Sequence, residues 1–478
     1  LYGSVEKLKL ELKELQDHLS YGKFNNATLA TIPNGTSGLA FNETKEISNN
    51  VDYTNDEDND ELEAINRELT NLLDDSKALQ REVVQGLFKG LVLPPAVVAS
   101  QPSKKEVLFP ARIIIIILSD MWRLGLTSNS ESFFGEVLQT IQSLVAELNN
   151  EDIIAHGAYW LTNTHELYSF VSYAQSTVVA NEEVSKAMGE DDYNLFLKLI
   201  ADAKEDFESL SYNIYNIWMK NIMSILEKKV ISAVVLGQSL PGFMSQDQSP
   251  LISKMFTKEP KYKMDDILTF FNNVYWAMKS YYFESHVMDT VIIDLLKFVN
   301  ACCFNDLIMR RNFLSWKRGL QLNYNVMRLD EWCKGHGIND ATVYLSHLFQ
   351  VSKLLQLRKN TPEDIDIIYE ICHTLKPVQI QKLFALYHVA DYEVPISPMI
   401  TQGLAEKVRS SGQTDYLEPV NKDTLFEDPF RNIELRPFNK IEAYVPARLN
   451  VPIIRRIIEL STLNATYQSN ALPESDGN

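Results

Sequence analysis

The sequence predicts a mostly α-helical, elongated bundle of antiparallel helices. Three observations carry this. From Glu61 onward, apolar residues recur at three- and four-residue intervals, the period of one helix face. The stretches between these runs are short, and short connections make successive helices antiparallel neighbours. With 45% hydrophobic residues over 478 positions, the chain can bury a large core.

The first element is a heptad seam. Leu1, Val5, Leu8, Leu12, Leu15 and Leu19 are spaced four, three, four, three and four, with Glu and Lys on the flanks. Residues 1–19 read as the end of a longer coiled-coil rod, or alternatively as one amphipathic helix packed on the globule. Residues 20–60 read as a linker. They are rich in Asn, Thr, Gly and Asp, show no apolar period and end in the acidic run from Val51 to Glu61. Such a segment buries too little apolar surface to offset its ordering entropy, so it is expected to be disordered.

The helical pattern then starts with Leu62, Ile65, Leu69 and Leu72, continues through Leu79, Val83 and Leu87, and stops at Pro94 and Pro95. Ile113 to Leu118 is the longest aliphatic run. It is far shorter than the ~20 residues of a membrane span, so it reads as a core helix or a buried strand. Helices follow over Ser130–Leu148, Tyr193–Val230, Met264–Lys279, Val287–Phe313 and Thr342–Leu357. Thr361-Pro362-Glu363-Asp364 starts another, with proline in the first turn and acids at the positive end of the helix dipole. Val394–Asn439 is turn-rich and reads as surface wrapping; Val451–Leu463 reads as a terminal helix. No repeat of 20–50 residues stands out.

Composition limits the functions. With 63 acidic and 45 basic residues, the net charge is -18. Phosphate backbones are bound by displacing counterions with Lys and Arg, so no direct nucleic-acid partner is expected. Four cysteines, two of them adjacent at Cys302 and Cys303, form no disulfide framework and suit a reduced cytoplasmic chain. No signal peptide is visible, so the sequons at Asn26, Asn34 and Asn42 read as chance occurrences in an Asn-rich linker.

Catalytic signatures are missing from the sequence. The glycines form neither a phosphate loop nor a dinucleotide fingerprint, so no ATP hydrolysis is expected on this chain. There is no G-x-S-x-G elbow and no H-E-x-x-H. Cys333-x-x-His336 with Cys372-His373 lacks a second properly spaced pair, so these residues read as structural. No cofactor and no metal are expected.

The most informative stretch runs from Asn300 to Trp332. It holds Trp316 and Trp332 and five cations: Arg310, Arg311, Lys317, Arg318 and Arg328. No carboxylate lies between Asp306 and Asp330, so this is a basic island in an acidic chain. Cations beside aromatics suit a surface that receives a protein partner; the alternative is a buried helix whose stray cations are solvated.

The same stretch resembles the cargo-binding globular tail, or dilute domain, of class V myosins, fungal type. The resemblance is carried by Asn305, Leu307, Arg310, Arg311, Ser315, Trp316, Gly319, Gln321, Tyr324, Asn325, Val326, Leu329, Asp330, Glu331 and Trp332. Asp330 departs from the family's usual Glu. Further matches begin at Pro110, Asp206, Met264 and Val389. The resemblance implies two closely packed helical subdomains joined by a long helix, here 61–285 and 286–478 with a soft boundary. It implies cargo adaptor proteins and Rab-type GTPases as partners, membranes reached only through adaptors, and homodimerisation through the rod. It also implies a cytoplasmic location on actin cables and at the bud. Two readings stay open beside this one: the tail of the mRNA-transporting class V paralogue, which binds a coiled-coil adaptor, and a helical tethering subunit of an exocytic complex.

Two surfaces are expected to bind partners. Phe207, Ile214, Trp218 and Ile225 share one buried stripe, while Asp206, Leu210, Asn213 and Asn216 fall on an arc turned away from it. Two amides and a carboxylate around one leucine make a polar rim with an apolar anchor. By resemblance this arc docks organelle adaptors, including the vacuole adaptor. The second surface joins Tyr324 and Arg328, one helical turn apart. The resemblance adds Lys353 and Gln356, beside Arg311 and Trp316, as a vesicle and Rab-linked site.

Overall fold

The computed structural model describes residues 54–97, 101–147, 152–180, 190–238, 240, 260–389, 393–420, 426–430 and 441–470. The heptad seam and residues 20–53 of the expected linker lie outside the described residues. All regular elements among the described residues are helices, with an isolated bridge between Leu314 and Tyr387.

Helix α1 spans Thr54–Asp74 and so starts inside the acidic run, ahead of the expected Glu61. Acidic residues at a helix N-terminus are favoured by its dipole, which composition alone hid. Helix α2 (Ser76–Arg81) restarts the chain after Asp75, whose carboxylate accepts from Ala78 N at 3.2 Å. A π-helical turn, Glu82–Phe88, follows.

The aliphatic run lies in helix α3, Lys104–Arg123, which resolves helix against strand. Pro110 sits inside α3, where it removes a backbone donor and disturbs the ladder. Asn163 of helix α5 (Asp152–Ala180) repairs this. Its Oδ1 accepts from Ala111 N at 3.2 Å and its Nδ2 donates to Val107 O at 3.0 Å. Helix α4 spans Thr127–Ala146.

Helix α6, Glu190–Val230, is 41 residues long and continues as a π-helical turn through Ile231–Val235. At 1.5 Å per residue it runs ~60 Å. It packs antiparallel on α5, with Trp218 against Gly157 at one end and Lys204 Nζ on Gln175 Oε1 at 3.2 Å toward the other. A Cβ at Gly157 would stand 2.2 Å from Trp218 Cδ1, so only glycine admits the indole, whose Nε1 donates to Ile154 O at 3.2 Å.

The second half follows as α7 (Met264–Ser280), α8 (Ser285–Met309), α9 (Trp316–Gly335), α10 (Ala341–Tyr344) and α11 (Ser346–Gln356). Helix α8 ends four residues before the expected Phe313, because Arg310 is extended and Asn312 takes a left-handed φ of 53°. The expected helix over Thr342–Leu357 is broken at Leu345. Helices α12 (Glu363–Ile371) and α13 (Pro377–Ala385) come next. The start of α12 follows expectation: Asp364 accepts from Asn360 N at 2.8 Å and Thr361 N at 2.9 Å, bonds that hold its carboxyl below the usual range.

The stretch read as turn-rich contains helix α14, Pro398–Ser411. Ser397 caps it, accepting from Met399 N, and Gly412 ends it at φ 63°. Its surface-polar composition concealed this punctuation.

The terminal helix α15, Pro452–Asn470, returns to the first half and packs antiparallel on α1. Glu82 of the π-helical turn accepts from Ile453 N and Ile454 N at 3.0 and 3.2 Å, capping α15 from outside its own chain segment. Arg456 forms a fork onto Glu68 at 2.7 and 2.9 Å. Beneath it, Arg123 bonds buried Asp120 at 2.9 Å and Asn66 Oδ1 at 2.7 Å, and Asn464 Nδ2 donates to the same oxygen at 2.6 Å. Removing one member of a buried ion pair leaves an uncompensated charge. Arg123→Met is therefore expected to lower unfolding free energy by about 3–5 kcal/mol. Lys105→Met, at the exposed pair with Glu442, should change it by less than about 1 kcal/mol. Denaturant titration of both variants checks this, and equal effects would refute it.

Candidate functional site

On α6 the expected stripe is buried: Phe207, Ile214, Trp218 and Ile225 all face the core. Asp206 and Asn213 are exposed, as the arc requires. Leu210 and Asn216 are not; they are 4% and 5% exposed. Leu210 stands three residues from Phe207 and four from Ile214, so it turns in with the stripe. Asn216 is covered by the segment Phe426–Phe430. Its Oδ1 accepts from Phe426 N at 2.9 Å and its Nδ2 donates to Tyr212 O at 2.9 Å. Of the expected polar rim, Asp206 and Asn213 are at the surface, whereas Asn216 and the leucine anchor are not.

The second surface is built by the pairing of α9 with α11. Ser315 caps α9, accepting from Arg318 N at 3.3 Å. Gly319 sets the spacing: a Cβ there would stand 2.8 Å from Leu355 Cβ and 3.0 Å from Ser352 O. Ser352 Oγ also donates to Asn323 Oδ1 at 3.3 Å. Tyr324 and Lys353 are the next residues along each helix, so the pairing brings them to one face. Gln356 lies over Gly319, 3.3 Å from the same Cβ position, and donates to Ser352 O at 2.7 Å. Tyr324 is 37% exposed and Lys353 extends over the Phe349 ring at 4.9 Å. Trp316 is half-buried and Arg311 is exposed. Met327, one turn from Tyr324, is equally exposed. Its i+3 spacing was available in the sequence, but an apolar residue in a helix reads first as core.

The basic island is smaller than its composition. Arg328 is half-buried and bonds Asp265 of α7 at 2.6 Å. Arg310 forks onto Asp306. Arg318 is buried, with its guanidinium 4.2 Å from the Phe313 ring and Nη1 3.4 Å from Val235 O at the end of α6's π-helical turn. Burial, with the charge of Arg310 adding to it, lowers Arg318 to about 10. Thus Asp306 within the stretch, Asp265 outside it and a helix C-terminus neutralise part of it.

Two buried amides lie beside Arg318. Asn325 Nδ2 donates to Val234 O at 2.9 Å, and Gln321 bonds Asn325 Oδ1 at 3.1 Å while accepting from Leu240 N at 3.1 Å. These positions hold α6 rather than a partner.

Cys333 and Cys372 are buried, and burial pushes both thiols up to about 12. His336 stacks on Trp332 at 4.1 Å. Among the described residues, no group of three His, Cys, Asp or Glu is placed to hold a metal, and no helix is long and apolar enough to cross a membrane.

Residues 290–391 match the DIL domain family. The chain is 50% identical to Myosin-2 of Lachancea kluyveri, over 99% of this chain and 32% of that protein. It is 44% identical to Myosin-2 of Saccharomyces cerevisiae, over 96% of this chain and 32% of that protein. Against Myosin-4 of the same yeast the identity is 26%, over 69% and 20%. A solved myosin V cargo binding domain superposes with a TM-score of 0.76 at 48% identity, over 85% of this chain and 99% of that one. This chain belongs to the myosin V cargo-binding domains. Solved Myo2 globular tails in complex with Inp2, Smy1 and Mmr1 superpose with a TM-score of 0.78 at 47%, 48% and 48% identity, over 84%, 85% and 85% of this chain and 99% of each. The tethering-subunit reading is thereby set aside. The chain spans 32% of the length of both Myosin-2 relatives. Within this myosin V cargo-binding domain, the α9–α11 face lies inside the DIL segment and the α6 face lies outside it.

The end of α11 adds a titratable support. Lys359 is buried and donates to Leu355 O at 3.0 Å and Leu357 O at 2.6 Å, with Tyr387's ring 4.4 Å away. Burial pushes its ammonium down to about 8, against partial support from Glu393 and Asp364. Between pH 8 and its ordinary 10.5 the unfolded chain therefore binds more protons at this position than the folded one, so this contribution to stability rises with pH. Wild type should gain stability relative to Lys359→Met from pH 8 to 10 and show a constant difference below pH 7. Denaturant titrations of both proteins at each pH check this; a flat difference throughout would contradict it.

Proposed function

We propose that this cargo-binding domain docks organelle and secretory-vesicle adaptors on two separate faces. One face comprises Asp206 and Asn213 on α6, with Leu210 and Asn216 beneath. The other comprises Tyr324, Arg328, Lys353 and Gln356, beside Arg311 and Trp316. Rab-type GTPases engage the second face directly or through adaptors. The observation that carries this reading is the exposed Tyr324 beside Lys353 on a pair of helices locked at Gly319. Support also comes from relatives solved with three different adaptors. The higher identity to Myosin-2 than to Myosin-4 favours organelle and vesicle cargo over an mRNA adaptor.

The motor ATPase of the full-length protein lies upstream of this chain. Dimerisation through the upstream coiled-coil rod doubles the valency of the tail. The protein works in the cytoplasm on actin cables and at sites of polarised growth. Residues 61–285 and 286–478 act as two subdomains, the second returning α15 to the first.

Fragments of Inp2, Smy1 and Mmr1 titrated against the full chain test the two faces. At least one adaptor should lose about tenfold affinity, or ~1.4 kcal/mol, with Tyr324→Ala and with Lys353→Glu. A different one should lose a similar amount with Asp206→Ala and with Asn213→Ala. Binding at the Lys353 face should weaken as salt rises, because Arg311 is exposed and Lys353 only half-buried, so solvent ions screen both. Circular dichroism confirms that each variant is folded. Unchanged affinities for all three adaptors in folded variants would defeat the two-face reading.

A further inference from the structure

Asn216 is out of reach of an adaptor. It is 5% exposed, and both ends of its amide are already committed, Oδ1 to Phe426 N and Nδ2 to Tyr212 O. The bond to Phe426 links residues 210 positions apart in the chain. Around it the segment Phe426–Phe430 is seated by aromatic edges. Tyr215, the neighbour of Asn216, meets Phe426 at 6.2 Å and Phe430 at 6.0 Å, both nearly perpendicular. Phe430 also packs edge-on against Phe283 at 5.5 Å and lies 5.6 Å from His165. Asp428 closes the turn by accepting from Phe430 N at 2.9 Å.

Phe430 is 6% exposed, so the strap is part of the fold. Glu427, between its two anchors, is exposed.

We propose that Asn216 is a positioning residue: it latches the strap Phe426–Phe430 onto α6, and the strap completes the adaptor-docking face whose exposed members are Asp206 and Asn213. This rests on the reading of the α6 face as a docking surface. Asn216 therefore governs adaptor affinity without touching the adaptor. A lost amide acceptor leaves the part-buried Phe426 N without its partner and weakens the seating of this short segment.

Full-length chain is used throughout, with the Inp2, Smy1 and Mmr1 fragments as probes and amide hydrogen exchange as the second readout. Asn216→Ala removes the acceptor; Phe426→Pro removes the donor and leaves Asn216 in place. Each should speed exchange at Phe430 N–H and lower affinity by about tenfold for the fragment that is sensitive to Asp206→Ala. The double variant should be no weaker than either single one, because both break one linkage. The proposal is overturned if Phe426→Pro leaves that affinity at the wild-type value while Asn216→Ala lowers it, since Asn216 would then contact the adaptor itself. It is also overturned if the two losses multiply, or if Phe430 exchange is unchanged in Asn216→Ala. Insensitivity of every fragment to both Asp206→Ala and Asn213→Ala has a different meaning. It would remove the α6 docking face itself, and the latch's role in binding with it, whatever the exchange rates show.

Discussion

The C-terminal end of α6 is the junction on which the two halves depend. A helix end leaves carbonyls without partners, and burying them unsatisfied is costly. Here Val234 O receives Asn325 and Val235 O receives Arg318, both from α9. A cation at that end also complements the helix dipole. Helix α9 in turn supports its neighbours. Trp332 donates to Asn272 of α7 at 2.8 Å, and Gly319 lets α11 close on the opposite flank. The orientation of the Tyr324 face relative to α6 therefore follows from how one helix terminus is met.

This also explains what the long sequence signature encodes. Ser315 caps, Gly319 spaces, Gln321 and Asn325 form the buried polar contact, and Val326, Leu329 and Trp332 enter the core. Tyr324 is the exposed aromatic of the run. The pattern identifies the family through its architecture. Met327, as exposed as Tyr324, and Lys353 are not part of that pattern.

The helical class, the α6 stripe and the start of α12 were legible because each is written in local spacing. Leu210 is written there too, three residues from Phe207 and four from Ile214 and so on their side of the helix. Asn216 is not, because the strap that covers it lies 210 residues away. The same holds for Arg328, whose partner Asp265 is 63 positions upstream, and for Asn163, which serves the Pro110 break from another helix. Periodicity reports which face of a helix is apolar. It carries no information about which distant segment settles on the polar one.

A pull on the chain leading into α1 would meet two antiparallel helices, α1 and α15. Because α15 lies antiparallel along α1, tension entering at Thr54 is directed along the two helix axes. The Glu68–Arg456 fork and the shared Asn66 contact with Arg123 and Asn464 are then loaded together, in shear, instead of opening one after another as they would in peeling. Among the described residues, the last helix thus splints the first, and the Glu82 cap fixes the end of that splint.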